Sequence, residues 1–187
     1  FFKTALHKNV TERAAHLLMN TSENWFVLYT KSRQEKVLAS QLMDAGYQVY
    51  LPLLKKVSQW SDRKKVLEVP LFNSYVFIKG VNEKARFKDF NSFVAFLQYN
   101  NKPAIVRQTE IDTLKSIIQH GYDINEFSTA QEFKIGNKVE VSSGPLKGIT
   151  GKLVSISNVD WFVLNFEGMG NGIQVKIPGK LLLNINE

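Results

Sequence analysis

Two groups of residues in this chain are spaced for binding rather than for bond chemistry. The first is cationic. Lys31, Arg33 and Lys36 lie close together, Arg63, Lys64 and Lys65 are consecutive, and Arg86 and Lys88 alternate. Such groups neutralise phosphates and release counterions, so a nucleic acid is the natural ligand; Trp60, just before the consecutive cations, offers a ring on which an exposed base can stack. A solvated basic surface would carry the same residues. The second is aromatic, concentrated in runs such as Trp25-Phe26-Val27-Leu28-Tyr29 and Tyr75-Val76-Phe77-Ile78. Aromatic side chains bury large areas with few rotatable bonds and anchor protein interfaces, and equally they fill cores. Nothing is arranged for catalysis. His7, His16 and His120 are scattered without metal-ligand spacing, and no cysteine is present. No GxxxxGK[ST] phosphate loop and no GxSxG nucleophile elbow occurs, and no carboxylate pair stands out. A non-enzyme without cofactor or metal is expected.

These residues belong to a chain of 187, with 44% hydrophobic residues and a net charge of +7. That is enough apolar material for packed cores. The charge is uneven. Residues 24–120 hold 15 Lys/Arg against 8 Asp/Glu, which equals the net charge of the whole chain, whereas residues 131–187 are nearly neutral. Basicity confined to one segment points to polyanions near that segment. The apolar runs are too short and broken for a signal peptide or for the roughly 20 residues of a membrane span, so a cytoplasmic protein with no membrane partner is expected.

Residues 1–23 contain one short amphipathic stretch, Thr11 to Met19, and read as an extension. Trp25-Phe26-Val27-Leu28-Tyr29 suits a buried strand. Ser32 and Glu35 have capping-box spacing, Val37, Leu38, Gln41, Leu42 and Ala45 follow at helical spacing, and Gly46 suits the left-handed position after a helix. Residues 47–51 return as a strand. Lys55 to Val69 reads as a protruding basic hairpin with a Ser61-Asp62 turn. Residues 75–78 form a strand, 83–90 a helix capped by Asn82, 93–97 a strand, and 109–120 a helix capped by Thr109 with Ile111, Leu114, Ile117 and Ile118 on one face. The order β-α-β, hairpin, β-α-β-α implies an α+β fold. Residues 121–130 are acidic and aperiodic and read as a linker. From 131 onward, short alternating strands and a glycine-punctuated turn, Gly144-Pro145-Leu146-Lys147-Gly148-Ile149-Thr150-Gly151, suggest a small all-β barrel of SH3-like size.

Several segments resemble the NusG family. Residues 25–29, Pro70-Leu71-Phe72-Asn73-Ser74-Tyr75-Val76-Phe77 and Lys102-Pro103-Ala104-Ile105-Val106 are similar to the NusG N-terminal (NGN) domain. Gly136-Asn137-Lys138-Val139-Glu140-Val141, followed by Gly144-Pro145-Leu146-Lys147-Gly148 and Gly151, is similar to a KOW motif. The resemblance implies an extension (1–23), a ferredoxin-like, RNP-like NGN domain (24–120), a linker (121–130) and a KOW barrel (131–187). Leu71-Phe72-x-x-Tyr75-x-Phe77 and Gln59-Trp60-Ser61-Asp62-Arg63-Lys64-Lys65 resemble specialised antiterminators of the UpxY and RfaH type. The family's usual Phe-Pro-Gly-Tyr stands here as Phe72-Asn73-Ser74-Tyr75.

What the resemblance implies is a monomeric elongation or antitermination factor that suppresses pausing on a restricted set of operons. A general NusG factor and a ribosome-associated or RNA-binding KOW protein are the other two possibilities. The implied contacts are Tyr29, Phe72, Tyr75 and Phe77 on the clamp helices of the largest RNA polymerase subunit. Lys31, Arg33, Lys36, Trp60, Arg63, Lys64, Lys65 and Arg86 would lie against non-template DNA or nascent RNA. Leu146 and Ile149 would meet a small-subunit ribosomal protein or Rho.

Overall fold

A computed structural model describes residues 24–59, 64–80, 87–99, 101–128, 137–156, 159–166, 169 and 171–185. The extension 1–23 and its expected helix, and most of the expected 83–90 helix, lie outside them. In chain order the elements begin with β1 (Trp25–Thr30), α1 (Glu35–Asp44) and β2 (Gln48–Tyr50). A hairpin follows, β3 (Leu53–Gln59) with β4 (Lys64–Pro70). Then come β5 (Tyr75–Lys79), a 3-10 turn at Phe87–Asp89, and β6 (Phe93–Phe96), β7 (Gln98–Tyr99), β8 (Lys102–Pro103) and β9 (Ile105–Val106). Helix α2 (Gln108–Gln119) precedes β10 (Ile124–Ser128), β11 (Lys138–Val141), β12 (Thr150–Ile156), β13 (Val159–Phe166), β14 (Asn171–Val175) and β15 (Leu182–Asn184). They form two compact units, Phe1–Leu51 with Phe72–Gln108, and Pro52–Leu71 with Thr109–Glu187. The fold is α+β.

The first unit is organised by β1. Five of its six residues are buried, which fits a strand covered on both faces, and only Tyr29 is exposed. The sheet runs β2-β5-β1-β6, with β9 also pairing β1, and every neighbouring pair is antiparallel. Because β5 lies between β1 and β2, the connection through α1 is a split β-α-β crossover. Alternation sends Phe26 and Leu28 to one face, where they pack with Leu38, Ala39 and Leu42 of α1 and with Val76, Ile78 and Phe87. Gly46 (φ 84) ends α1 as expected. Its N–H bonds the Met43 carbonyl at 2.9 Å, and the Tyr47 N–H bonds that of Leu42 at 3.0 Å, the two bonds of a Schellman motif.

The capping box does not form. Helix α1 begins at Glu35, Gln34 occupies the N-cap position, and no side chain caps it. Glu35 is therefore too early in the helix to reach back to Ser32, and its carboxylate bonds a distant amide instead. Where the helix 83–90 was expected, Phe87–Asp89 is a 3-10 turn with Phe87 buried against the core. In the same way α2 starts at Gln108, so Thr109 lies inside its first turn rather than capping it.

In the second unit the hairpin forms with seven paired positions, from Leu53 opposite Pro70 to Gln59 opposite Lys64. The six remaining strands form one antiparallel sheet in the order β10-β14-β13-β12-β11-β15. Among the described residues the two ends of this order, β10 and β15, do not pair with each other, so the sheet is open rather than a closed ring. Strand β10 falls within the stretch expected as a linker, 121–130. Ile124 is buried, and Ile124 to Ser128 bond the edge of β14, whose backbone groups would otherwise lack partners there. Gly151 marks a close approach. A Cβ there would sit 2.6 Å from both the Phe162 ring and the Val163 carbonyl oxygen. Gly144 (φ 84) and Gly148 (φ 83) supply the left-handed corners of the turn around Leu146.

Candidate docking surface and basic margin

The face of the first sheet opposite α1 is aromatic. Trp25, Val27 and Tyr29 of β1 stand opposite Lys79, Phe77 and Tyr75 of β5, and Tyr50 of β2 stands beside Phe77. Ring contacts run Trp25–Tyr50 (6.5 Å), Tyr50–Phe77 (6.2 Å), Phe77–Phe72 (5.9 Å) and, at the sheet's end, Tyr29–Tyr75 (6.0 Å, edge to face). Such geometry contributes beyond area burial alone. Exposure divides this row. Trp25, Phe72 and Phe77 are at most 1% exposed, whereas Tyr29 is 43% exposed and Tyr75 half-buried. Ala95 of β6, opposite Tyr29, is exposed, as is Val94 at the adjoining bulge.

Of the four aromatics expected to touch a partner, the structure thus brings Tyr29 and Tyr75 together at the surface. Phe72 and Phe77 are corrected to core. Phe72, in the turn before β5, and Phe77, in β5, pack against each other, and Phe77 packs against Tyr50 as well, which keeps both out of water. Burial also pushes the Tyr50 hydroxyl up from 10.0 to about 12, since an ionised phenolate would be poorly solvated there.

The turn that delivers Tyr75 is tightly held. Ser74 has φ 63, a left-handed conformation uncommon for a residue other than glycine, asparagine or aspartate. Its carbonyl accepts from the Thr30 N–H at 2.9 Å, and its own N–H donates to Glu35 Oε1 at 2.7 Å.

Beside this end of the sheet is the loop after β1. Lys31, Arg33 and Lys36 are all exposed. Thr30 Oγ1 and the Lys31 N–H both donate to the Ser92 carbonyl, at 2.7 and 3.0 Å, which fixes the loop's base. Arg33 turns it with φ 61. The Tyr29–Tyr75 pair and these three cations therefore share one end of the first sheet.

On the hairpin, Lys65 is exposed and Lys64 lies in β4 opposite Gln59. Trp60, Arg63 and Arg86 lie outside the described residues. Sequence reasoning placed Lys55 and Lys56 in the basic hairpin without singling them out, and missed one apolar feature of it. Lys55 and Lys56 are exposed, so the basic run continues down β3. Val57 and Val66, directly opposite each other, are 67% and 60% exposed. The apolar alternation that flags them also reads as a buried face, so only the structure separates the two meanings.

In the second sheet Leu146 is completely buried and is corrected from partner contact to the core anchor of its turn, while Ile149 is half-buried. Among the described residues there is no group of three potential metal ligands, and no helix is long and apolar enough to cross a membrane.

A split β-α-β sheet interrupted by a hairpin, with a helix on one face, is followed along the chain by an all-β sheet. Residues 23–115, just under half of the chain, match the NusG family model, described as transcription termination factor nusG. A solved structure of Thermotoga maritima NusG, titled for its domain interaction, is 18% identical, with 88% of this chain and 98% of that chain covered and a TM-score of 0.50. Conformations A and B of an MjSpt4:Spt5 complex each cover 87% of this chain at 16% identity, with 99% and 97% of those chains covered and TM-scores of 0.27 and 0.25. A comparison with curated proteins found no match.

Proposed function

We propose that this chain is a transcription elongation factor of the antitermination type. Its first domain docks on the clamp helices of the largest RNA polymerase subunit through the Tyr29–Tyr75 surface. The observation that carries this reading is the exposed Tyr29 ring, packed against half-buried Tyr75, at the end of an otherwise covered aromatic face. A large aromatic ring left partly in water at the end of a covered face is placed to meet another molecule. Holding the clamp closed favours the elongating conformation over the paused one, and a bias of about 1.4 kcal/mol changes that equilibrium tenfold.

Lys31, Arg33 and Lys36, on the same end of the sheet, face non-template DNA or nascent RNA in this reading, with Lys65 and the rest of the hairpin as a second contact. Residues 24–120 act as the polymerase-binding NGN domain and 131–187 as a KOW domain that recruits a small-subunit ribosomal protein or Rho, with Ile149 as its remaining candidate contact. The protein acts as a cytoplasmic monomer. The likeness of Leu71-Phe72-x-x-Tyr75-x-Phe77 and Gln59-Trp60-Ser61-Asp62-Arg63-Lys64-Lys65 to specialised antiterminators supports a factor restricted to a few operons, while Phe72-Asn73-Ser74-Tyr75 departs from the family's usual Phe-Pro-Gly-Tyr.

The deciding experiment is in vitro transcription through a pause and a terminator with the purified protein added. Shorter pauses and more read-through are expected, with the gain lost in a Tyr29→Ala/Tyr75→Ala variant that still folds. Unchanged pause lifetimes with the wild-type protein would sink the proposal.

A further inference from the structure

We infer that Glu35 is a positioning residue that holds the 72–75 turn in its left-handed shape and thereby sets the direction of Tyr75 on the docking surface. The inference deepens the polymerase-docking reading and rests on it for its consequence, though not for its geometry.

Glu35 is the first residue of α1 and only 5% exposed, an unusual place for a carboxylate. It bonds neither Ser32 nor the helix's own N-terminus. Instead Oε1 accepts the Ser74 N–H at 2.7 Å, a short contact of the charge-assisted kind, across 39 residues of sequence. Ser74 is a residue at φ 63, where a side chain crowds the backbone. Its peptide groups are fixed from both sides, by Glu35 at the N–H and by the Thr30 N–H at the carbonyl. The next residue, Tyr75, enters β5 in register with Tyr29 and meets its ring at 6.0 Å. Without the carboxylate, Ser74 would relax toward negative φ, the amide would lose a buried partner, and Tyr75 would leave its pairing with Tyr29.

A glycine at position 74 would adopt positive φ unaided. The carboxylate should therefore matter much less there, which a role confined to stabilising α1 would not predict. Four full-length variants test this: Glu35→Ala, Glu35→Gln, Ser74→Gly and Glu35→Ala/Ser74→Gly. The first readout is amide hydrogen exchange at residue 74 in the free protein. The second is affinity for an isolated clamp-helix fragment of RNA polymerase.

Glu35→Ala should speed exchange and weaken affinity by about tenfold or more, as loss of a bond to a charged acceptor implies. Glu35→Gln, which keeps an acceptor oxygen, should stay near wild type. In the Ser74→Gly background the alanine change should cost about threefold or less, a non-additivity that reports coupling between the two sites. An equal penalty for Glu35→Ala with and without Ser74→Gly would overturn the inference. If Glu35→Ala alone fails to fold, recovery of folding in the double variant supports the inference and continued failure overturns it. If the wild-type protein does not bind the fragment, the docking proposal falls, and the exchange measurements still decide the role of Glu35.

Discussion

Substituting Tyr29 and Phe77 separately by alanine distinguishes a docking residue from a supporting one on the same sheet face. The two belong to adjacent strands, yet Tyr29 is 43% exposed and Phe77 1%. Complete burial of such a side chain is worth roughly 2–3 kcal/mol. Less than half of that remains available to Tyr29 on docking, so about 1 kcal/mol from area and somewhat more with its ring contacts. Tyr29→Ala should therefore weaken binding to the clamp-helix fragment by about 5- to 30-fold, or 1–2 kcal/mol. The free protein should lose only about 1 kcal/mol of stability, because the ring already contacts Tyr75. Phe77→Ala, which empties a buried site against Phe72 and Tyr50, should cost about 3–5 kcal/mol of folding stability. Urea unfolding and calorimetric binding on both variants supply the four numbers. Should Tyr29→Ala lower stability as far as Phe77→Ala does while leaving affinity unchanged, the division of this face into surface and support would be wrong.

Gly151→Ala should destabilise the second sheet by about 1–3 kcal/mol, because the added methyl meets a ring and a carbonyl at 2.6 Å and neither can move freely; thermal unfolding measures it. Tyr50 predicts a stability loss at high pH. Below pH 10 its hydroxyl is neutral in both states. Between 10 and about 12 the unfolded chain ionises first, so stability falls by about 1 kcal/mol by pH 11, a slope that Tyr50→Phe should remove in urea titrations at pH 9 and 11. Changing Lys55, Lys56 and Lys65 to alanine should flatten the salt dependence of single-stranded nucleic-acid binding, each lost phosphate contact lowering the slope of log affinity against log salt by about 0.7.

Local signals made the first sheet readable. The aromatic and β-branched runs of β1 and β5 have no good alternative to a buried strand, and Gly46 ends its helix where a left-handed residue was needed. Parity along a strand also puts Tyr29, Tyr75 and Phe77 on one face. It cannot say how far another element covers that face, and that is why two of four aromatics were placed at the surface in error. The Ser32–Glu35 spacing misled for a related reason. Capping signatures count residues along the chain, and the amide that captured Glu35 lies 39 positions away. Strand β10 was hidden by its own acidic and polar composition, because its pairing is decided by the open edge of β14 rather than by a hydrophobic pattern. Leu146 sits in a turn whose glycines announce exposure, yet its side chain points inward as the turn's anchor.

The opposed pair Val57 and Val66 sets a problem of self-association for the hairpin. A two-stranded ribbon has free backbone groups along its edges, and two valines left in water give a second copy something to bury. The neighbouring Lys55, Lys56 and Lys65 repel such a copy at low ionic strength. Those cations would then carry two duties at once, drawing in a polyanion and keeping identical molecules apart. Whatever neutralises them, whether concentrated salt or a bound strand of phosphates, removes the second protection, and clumping through this ribbon is the expected result at high protein concentration.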